Sequence, residues 1–363
     1  MKTGKQAANE RAEKHADKLL VSIPLLLLVA CLLFVSYWSK REIQASKTGA
    51  PVTVSLDPLA LVLTPQTGNS RTDKEICRLQ QQIRDGRNPE LALEQLGWAF
   101  VAKARESFDA GFYKLAEQCA RCIEKRNPHS HEAMLLRGHV LHNLHRFKES
   151  ETLARQLVEQ RGLNFDYGLL GDALMEQGKL NEAVAAYQQM MNLKPDLHAY
   201  ARAAHMRWLK GDLAGAIEVM QLAVDAASPL DAESAAWVNT HLASYQFQAG
   251  RFAEAEQRCA VALSFQSNYP PALLLRGKML LAQDKFEAAT DDLQTAAKLN
   301  RLPEYQWALA DALRAAGQIN EASSSEAELR RLGATSDPRT LAIFLSTRHE
   351  SPEVALRLAK AEF

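Results

Sequence analysis

The chain has 363 residues, 47% of them hydrophobic, with 43 basic and 43 acidic side chains and no formal net charge. That balance creates no global field to attract nucleic acid or an anionic surface, so nucleic acid is not expected as a partner. The length suits two ordinary domains, but an internal periodicity overrides that division.

Residues 1–18 form a charged N-terminal tail. Leu19–Trp38 then runs for twenty residues without a charge. As a helix it would be about 30 Å long, the thickness of a bilayer's hydrocarbon core, so one N-terminal transmembrane helix is expected. Lys2, Lys5, Arg11, Lys14 and Lys18 precede it, whereas Lys40, Arg41 and Lys47 follow. This asymmetry places the N-terminus inside and the rest of the chain outside the cytoplasm, as a single-pass protein of the inner (cytoplasmic) membrane. No small-x-small site follows the apolar run, which reads as an uncleaved anchor. Leu28-Val29-Ala30-Cys31 resembles a lipobox, which leaves acylation of Cys31 as an alternative, although Leu32–Val35 continues the apolar run. Residues 39–71 have the Ser, Thr, Pro and Gly content of a linker, with one apolar island at Leu59–Leu63 able to dock elsewhere. Helix spacing begins near Thr72 with Ile76, Leu79 and Ile83, and Gly86 and Pro89 end that element.

From there onward no strand alternation occurs, and a pattern recurs. A small residue is followed seven positions later by a turn residue, two later by a bulky apolar one and three later by another small one. It runs Ala104-Gly111-Tyr113-Ala116, Gly138-His145-Phe147-Ser150, Gly171-Gly178-Leu180-Ala183 and Ala204-Gly211-Leu213-Ala216. Ala243-Gly250-Phe252-Ala255, Gly277-Asp284-Phe286-Ala289 and Ala310-Gly317-Ile319-Ala322 complete it. Successive starts lie 34, 33, 33, 39, 34 and 33 residues apart, a period that marks a stacked helical-repeat architecture. The first small residue lets two helices approach closely, the turn residue supplies positive φ, and the bulky one fills a seam.

The segment Tyr167–Pro195, with Gly171, Gly178, Ala183, Tyr187 and Pro195 in register, resembles the tetratricopeptide repeat (TPR) family. The resemblance extends over about residues 97–335 and implies an all-α, right-handed superhelix, or α-solenoid. The array spans residues 72–335, with about seven repeats starting near 97, 131, 164, 197, 236, 270 and 303. His145 and Asp284 replace the turn glycine, and Glu326 stands where an apolar residue is usual. An insertion at Ser228–Glu233 lengthens the spacing after the fourth unit. Residues 336–363 read as a partial repeat or capping hairpin; either its last helix is the cap, or the natural protein continues past Phe363.

The resemblance further implies that the first helix of each hairpin lines a concave groove that holds a protein or peptide partner. In this register the groove carries Trp98, Arg105, His139, His142, Phe165, Asp172 and Met175. It continues with Arg202, His205, Trp208, Trp237, Phe247, Trp307 and Arg314. Val101, Phe108, Leu135, His198, Lys278 and Asp311 share the stripe. Trp and Arg are frequent interface anchors, so the tryptophans read as apolar contacts and the arginines as partners for carboxylates. The competing reading packs these rings between neighbouring first helices.

His129, His131, His139, His142 and His145 cluster, and Cys119-Ala120-Arg121-Cys122 is a CxxC. Together they define an alternative, a metal- or redox-handling chaperone. The CxxC falls inside a helix, away from the helix N-terminus that lowers a thiol pKa, and His145 falls at a turn. Cys77 and Cys259 read as packing residues, with a Cys77 disulfide to Cys119 or Cys122 open in an oxidising compartment. No phosphate-cradling loop, nucleophile elbow or HExxH occurs, so neither catalysis nor a cofactor or resident metal is expected. The expectation is a non-enzymatic scaffold or adaptor of the bacterial envelope that supports assembly of a membrane or periplasmic complex, similar in layout to anchored TPR subunits.

Overall fold

The structure is a computed structural model and describes residues 57–361. The expected transmembrane helix, the tail before it, Cys31 and most of the expected linker lie outside these residues. Among the described residues no helix is long and apolar enough to cross a membrane, and no strand occurs.

The apolar island of the linker is part of the folded array. Pro58–Val62 forms a short helix, α1, with the Asp57 carboxylate accepting from the Leu59 amide. It docks on α2 (Arg71–Arg84): Gln80 donates to the Val62 and Thr64 carbonyls at 2.8 and 2.9 Å, and Arg84 to Leu63 at 2.6 Å. Val62 is buried with Ile76, Leu79 and Cys119. The residues from Asp57 onward that composition assigned to a linker are held by this apolar contact, because burying Val62 outweighs the flexibility of its flanks.

Seven antiparallel hairpins follow. The first pairs α3 (Pro89–Ser107) with α4 (Gly111–Arg126), and the second α5 (His131–Asn143) with α6 (Phe147–Gln160). Next come α7 (Asn164–Glu176) with α8 (Leu180–Leu193), and α9 (Leu197–Leu209) with α10 (Leu213–Asp225). The fifth pairs α11 (Ala232–Gln248) with α12 (Phe252–Phe265), the sixth α13 (Pro270–Leu281) with α14 (Phe286–Leu299), and the seventh α15 (Pro303–Ala315) with α16 (Ile319–Gly333). A shorter hairpin, α17 (Pro338–Thr347) and α18 (Pro352–Ala361), lies beyond them. Two first helices extend further N-terminally than the pattern implies: α3 opens at Pro89 and α11 at Ala232, inside the insertion.

The rhythm has a steric basis at each position. A Cβ on Gly138 would overlap Leu169, one on Gly171 the Tyr187 ring, and one on Gly277 the Leu293 side chain. Ala104, Ala204, Ala243 and Ala310 are at most 3% exposed, and each closing small residue from Ala116 to Ala322 is fully buried. Ser150, at one of those positions, donates to the Gly138 carbonyl at 2.9 Å, so its hydroxyl is satisfied. Turn residues Gly178, Gly211, Gly250 and Gly317 have φ between 72° and 82°. His145 and Asp284 adopt the same left-handed state at 59° and 57°, a conformation both residue types tolerate better than most. The first hairpin departs from the pattern. Its left-handed residue is Phe108, φ 56°, whereas Gly111 begins α4. Phe108 therefore ends α3 and does not continue it. The bulky seam residue is also less uniform than expected, since Phe252 and Ile319 are each 50% exposed.

Candidate functional site

The inward sides of the first helices carry a succession of ring pairs. Trp98 of α3 meets His139 of α5 at 5.3 Å, and Phe165 of α7 meets His198 of α9 at 5.6 Å. On α9, His205 stacks on Trp208 at 5.3 Å, and Trp208 stacks in turn on Tyr245 of α11 at 6.1 Å. The Trp208 indole donates to Gln248 at 2.8 Å. Trp307 of α15 stands edge-on to Phe344 of α17 at 5.4 Å. Three of the four groove tryptophans thus bridge neighbouring first helices, as the packing alternative requires. Trp237 differs: it packs on His241 of its own helix at 4.2 Å and remains 38% exposed, and Phe165 is 44% exposed.

Several expected groove residues point elsewhere. Phe247 packs edge-on to Phe252 at 5.7 Å and on the core of the fifth and sixth hairpins. Met175 packs on the core below α7, and His142 stands edge-on to Phe147 at 5.5 Å. All three are drawn into the seam between the two helices of a hairpin, where apolar area is covered from both sides.

The charges of the site are neutralised within the chain. Arg202 of α9 chelates Asp172 of α7, with Nε to Oδ1 at 2.8 Å and Nη2 to Oδ2 at 2.6 Å. The Tyr187 hydroxyl donates to the same Oδ1 at 2.8 Å, and the remaining guanidinium nitrogen donates to the His198 carbonyl at 3.1 Å. Burial pushes the Asp172 carboxyl up, but the charge and hydrogen bonds of Arg202 outweigh it and hold the group below the usual carboxylate range. Burial and the Asp172 charge raise the Tyr187 hydroxyl far above its ordinary value. Arg105 pairs with Glu233 at 2.9 Å, and Arg314 with Glu326 at 2.6 Å. Glu326, out of pattern for its position, also faces Arg348, which pairs with Asp311. All three groove arginines expected to meet a partner's carboxylates are therefore engaged by carboxylates of this chain. The Asp172–Arg202 match was legible in principle, because Arg202 lies one helical turn before the position equivalent to Asp172 in the next repeat.

Burial favours the uncharged form of four imidazoles, His139, His198, His205 and His241. Burial lowers His139 and His241 to about 4, and lowers His198 and His205 in the same direction. His139 and His241 keep part of their surface accessible, yet their rings are hemmed in by protein, and the surrounding burial governs their protonation. His241 and Tyr245 escaped the sequence reading, although His241 lies one helical turn after Trp237.

The metal- and redox-handling alternative loses its geometry. His131 bonds Gln160 at 2.9 Å, His139 faces Trp98, His142 faces Phe147, and His129 and His145 are exposed in a loop and a turn. Among the described residues no group of three or more His, Cys, Asp or Glu side chains converges. Cys119 and Cys122 are buried inside α4, and burial pushes both thiols up, which suppresses the thiolate needed for exchange. Cys77 is exposed and all four described cysteines are free, so the disulfide open to Cys77 is not formed. Cys259 is a packing residue whose thiol, pushed up to about 12 by burial, donates to the Ala272 carbonyl at 3.2 Å.

Stacked antiparallel hairpins with small residues at every crossing and a ring-lined inner side define an α-solenoid repeat protein. Residues 169–232 match the tetratricopeptide repeat family, and they lie within this solenoid. No curated protein matches the chain. Among solved structures it is similar to a chain of the APC/C hetero-tetramer Cut9–Hcn1, at 14% identity and a TM-score of 0.56, covering 83% of this chain. It spans 57% of the length of that chain. It is also similar to a monomeric mutant of IFIT1 with m7Gppp-AAAA, at 14% identity and a TM-score of 0.54, covering 77% of this chain and 75% of that one. These likenesses concern the fold.

Two outcomes are expected of this site. Arg202→Ala strands the Asp172 carboxylate and should cost about 3–5 kcal/mol, whereas Arg202→Met with Asp172→Leu should fold with close to wild-type stability; chemical denaturation distinguishes them. Stability should also fall with acid. The unfolded imidazoles take up protons near pH 6.5, while His139 and His241 resist down to about 4, so the unfolded state binds more protons across that window. Stability is full above about pH 6.5 and is lost progressively toward pH 4. Thermal unfolding across this range should show a smaller slope in the His139→Gln and His241→Gln double variant.

Proposed function

We propose that this chain is a non-enzymatic protein-interaction scaffold that holds an uncharged, apolar segment of a partner on the concave side of the array. The observation that carries this reading is the combination at the inner side: exposed Trp237 and Phe165 beside neutral histidines, with the groove arginines already paired. A charged ligand would have to separate a pair such as Arg202–Asp172 and leave a buried charge uncompensated, whereas an apolar segment gains contact area at once. The binding is thus of the kind in which aromatic anchors supply most of the affinity. Trp237→Ala with Phe165→Ala should cut the protein that co-purifies with the full chain from detergent-solubilised membranes by an order of magnitude or more, about the loss of two anchors. Unchanged recovery, with helicity intact, would remove the groove from the account.

The proposal includes the setting. Leu19–Trp38 supports a single-pass anchor in the bacterial inner membrane, and the excess of Lys and Arg before it supports an array outside the cytoplasm. Such a scaffold would serve assembly of a membrane or periplasmic complex. Protease added to intact spheroplasts is expected to degrade the array, and deletion of residues 19–38 to release it into the soluble fraction. Protection in spheroplasts together with cleavage in inverted vesicles would reverse the orientation.

A further inference from the structure

In a stacked array each hairpin touches its neighbours, so contacts remain local in sequence. The side-chain hydrogen bonds of the described residues follow this rule, spanning 40 residues or fewer, with one exception. Arg105 and Glu233 meet across 128 residues, with Nε to Oε1 at 2.9 Å and Nη2 to Oε2 at 3.5 Å. Arg105 lies near the end of α3 in the first hairpin, and Glu233 near the start of α11 in the fifth. The superhelix therefore curls until its first and fifth hairpins touch over the concave side.

We propose that Arg105 and Glu233 form a reversible latch that closes the mouth of the concave channel, and that a partner segment enters when the latch opens. The purpose of the latch rests on the scaffold reading; its existence does not. Three features fit a device that opens. Glu233 belongs to the insertion, and the extra residues that lengthen one repeat spacing to 39 also extend α11 toward Arg105. The two side chains are 51% and 38% exposed, so water competes for the pair and its strength is modest. Burial pushes the Glu233 carboxyl up, Arg105 opposes this, and the Asp231 and Glu106 carboxylates reinforce it. The charge of Arg105 also acts on Tyr113, Tyr269, His139 and His198, from other hairpins as well as its own.

Distances between two spin labels read the latch directly. The full chain in detergent micelles would carry Cys31→Ser and Cys77→Ser, with labels on Ser107→Cys and Leu230→Cys. Cys119, Cys122 and Cys259 are buried and remain unlabelled. At low salt the distance distribution should be dominated by a short, closed component. Arg105→Glu should lower the closed-to-open ratio by roughly five-fold, the scale of a half-exposed ion pair. Arg105→Glu with Glu233→Arg should restore it, and about 1 M salt should shift the wild type toward the open component by screening. Glu233→Gln, which removes the charge without adding repulsion, should lie between wild type and Arg105→Glu and serves if the reversal fails to fold by circular dichroism. A distribution identical in wild type, Arg105→Glu and Glu233→Gln would overturn the proposal, as would a double reversal that stays open. A latch that responds as expected in a chain that captures no protein would instead remove the scaffold reading alone.

Discussion

The close approach of paired helices at small residues is the constraint on which the rest of this protein depends. With Gly171 directly beneath the Tyr187 ring and Gly277 beneath Leu293, the two helices of a hairpin sit near enough to bury each other's apolar sides. That distance sets the angle at which one hairpin stacks on the next, and the angle, repeated seven times, sets the curvature of the array. Tyr187 links this packing to the inner surface. Its ring fills the space above Gly171, and its hydroxyl reaches Asp172, so a core contact also orients a groove carboxylate.

The inner surface follows from that curvature. First helices that converge on a common axis must place their inward side chains against one another, and polar groups among them need partners close at hand. Asp172 and Arg202 answer each other with two short hydrogen bonds, and Arg314 finds the out-of-pattern Glu326. Rings meet rings, and tryptophan packs on histidine at three places: Trp98 on His139, Trp208 on His205 and Trp237 on His241. The groove is in this way pre-organised and electrically quiet, and what it leaves exposed is aromatic. In the scaffold we propose, such a surface would disfavour charged segments by the cost of breaking its buried internal pairs.

Much of the fold was legible because its determinants are local. Positive φ at Gly178, Gly211, Gly250 and Gly317, and the burial of Ala116, Ala183 and Ala289, depend on neighbours within one hairpin. The first hairpin resisted for the same reason: Phe108 ends α3 in a left-handed conformation that no residue-type preference announces. The site was less legible. The stripe placed Trp98, Trp208 and Trp307 on the inner side, but periodicity cannot say whether such a ring faces solvent or the next helix. Phe247, Met175 and His142 were assigned to the groove by register and are drawn sideways into hairpin seams. Glu233 was visible only as part of an irregular spacing.

By itself the sequence determined the repeat unit, its helical character and the turn at each hairpin, since 3.6-residue periodicity, glycine φ and small-residue sterics act over a few turns of chain. It also carries the uncharged run at Leu19–Trp38, whose length and composition speak without a fold. Tertiary structure alone decided which groove charges are free and which are answered. The pairing of Arg105 with Glu233 depends on the summed rotation of the intervening hairpins. Small angles at each interface accumulate over that distance, and no spacing in the sequence encodes their total.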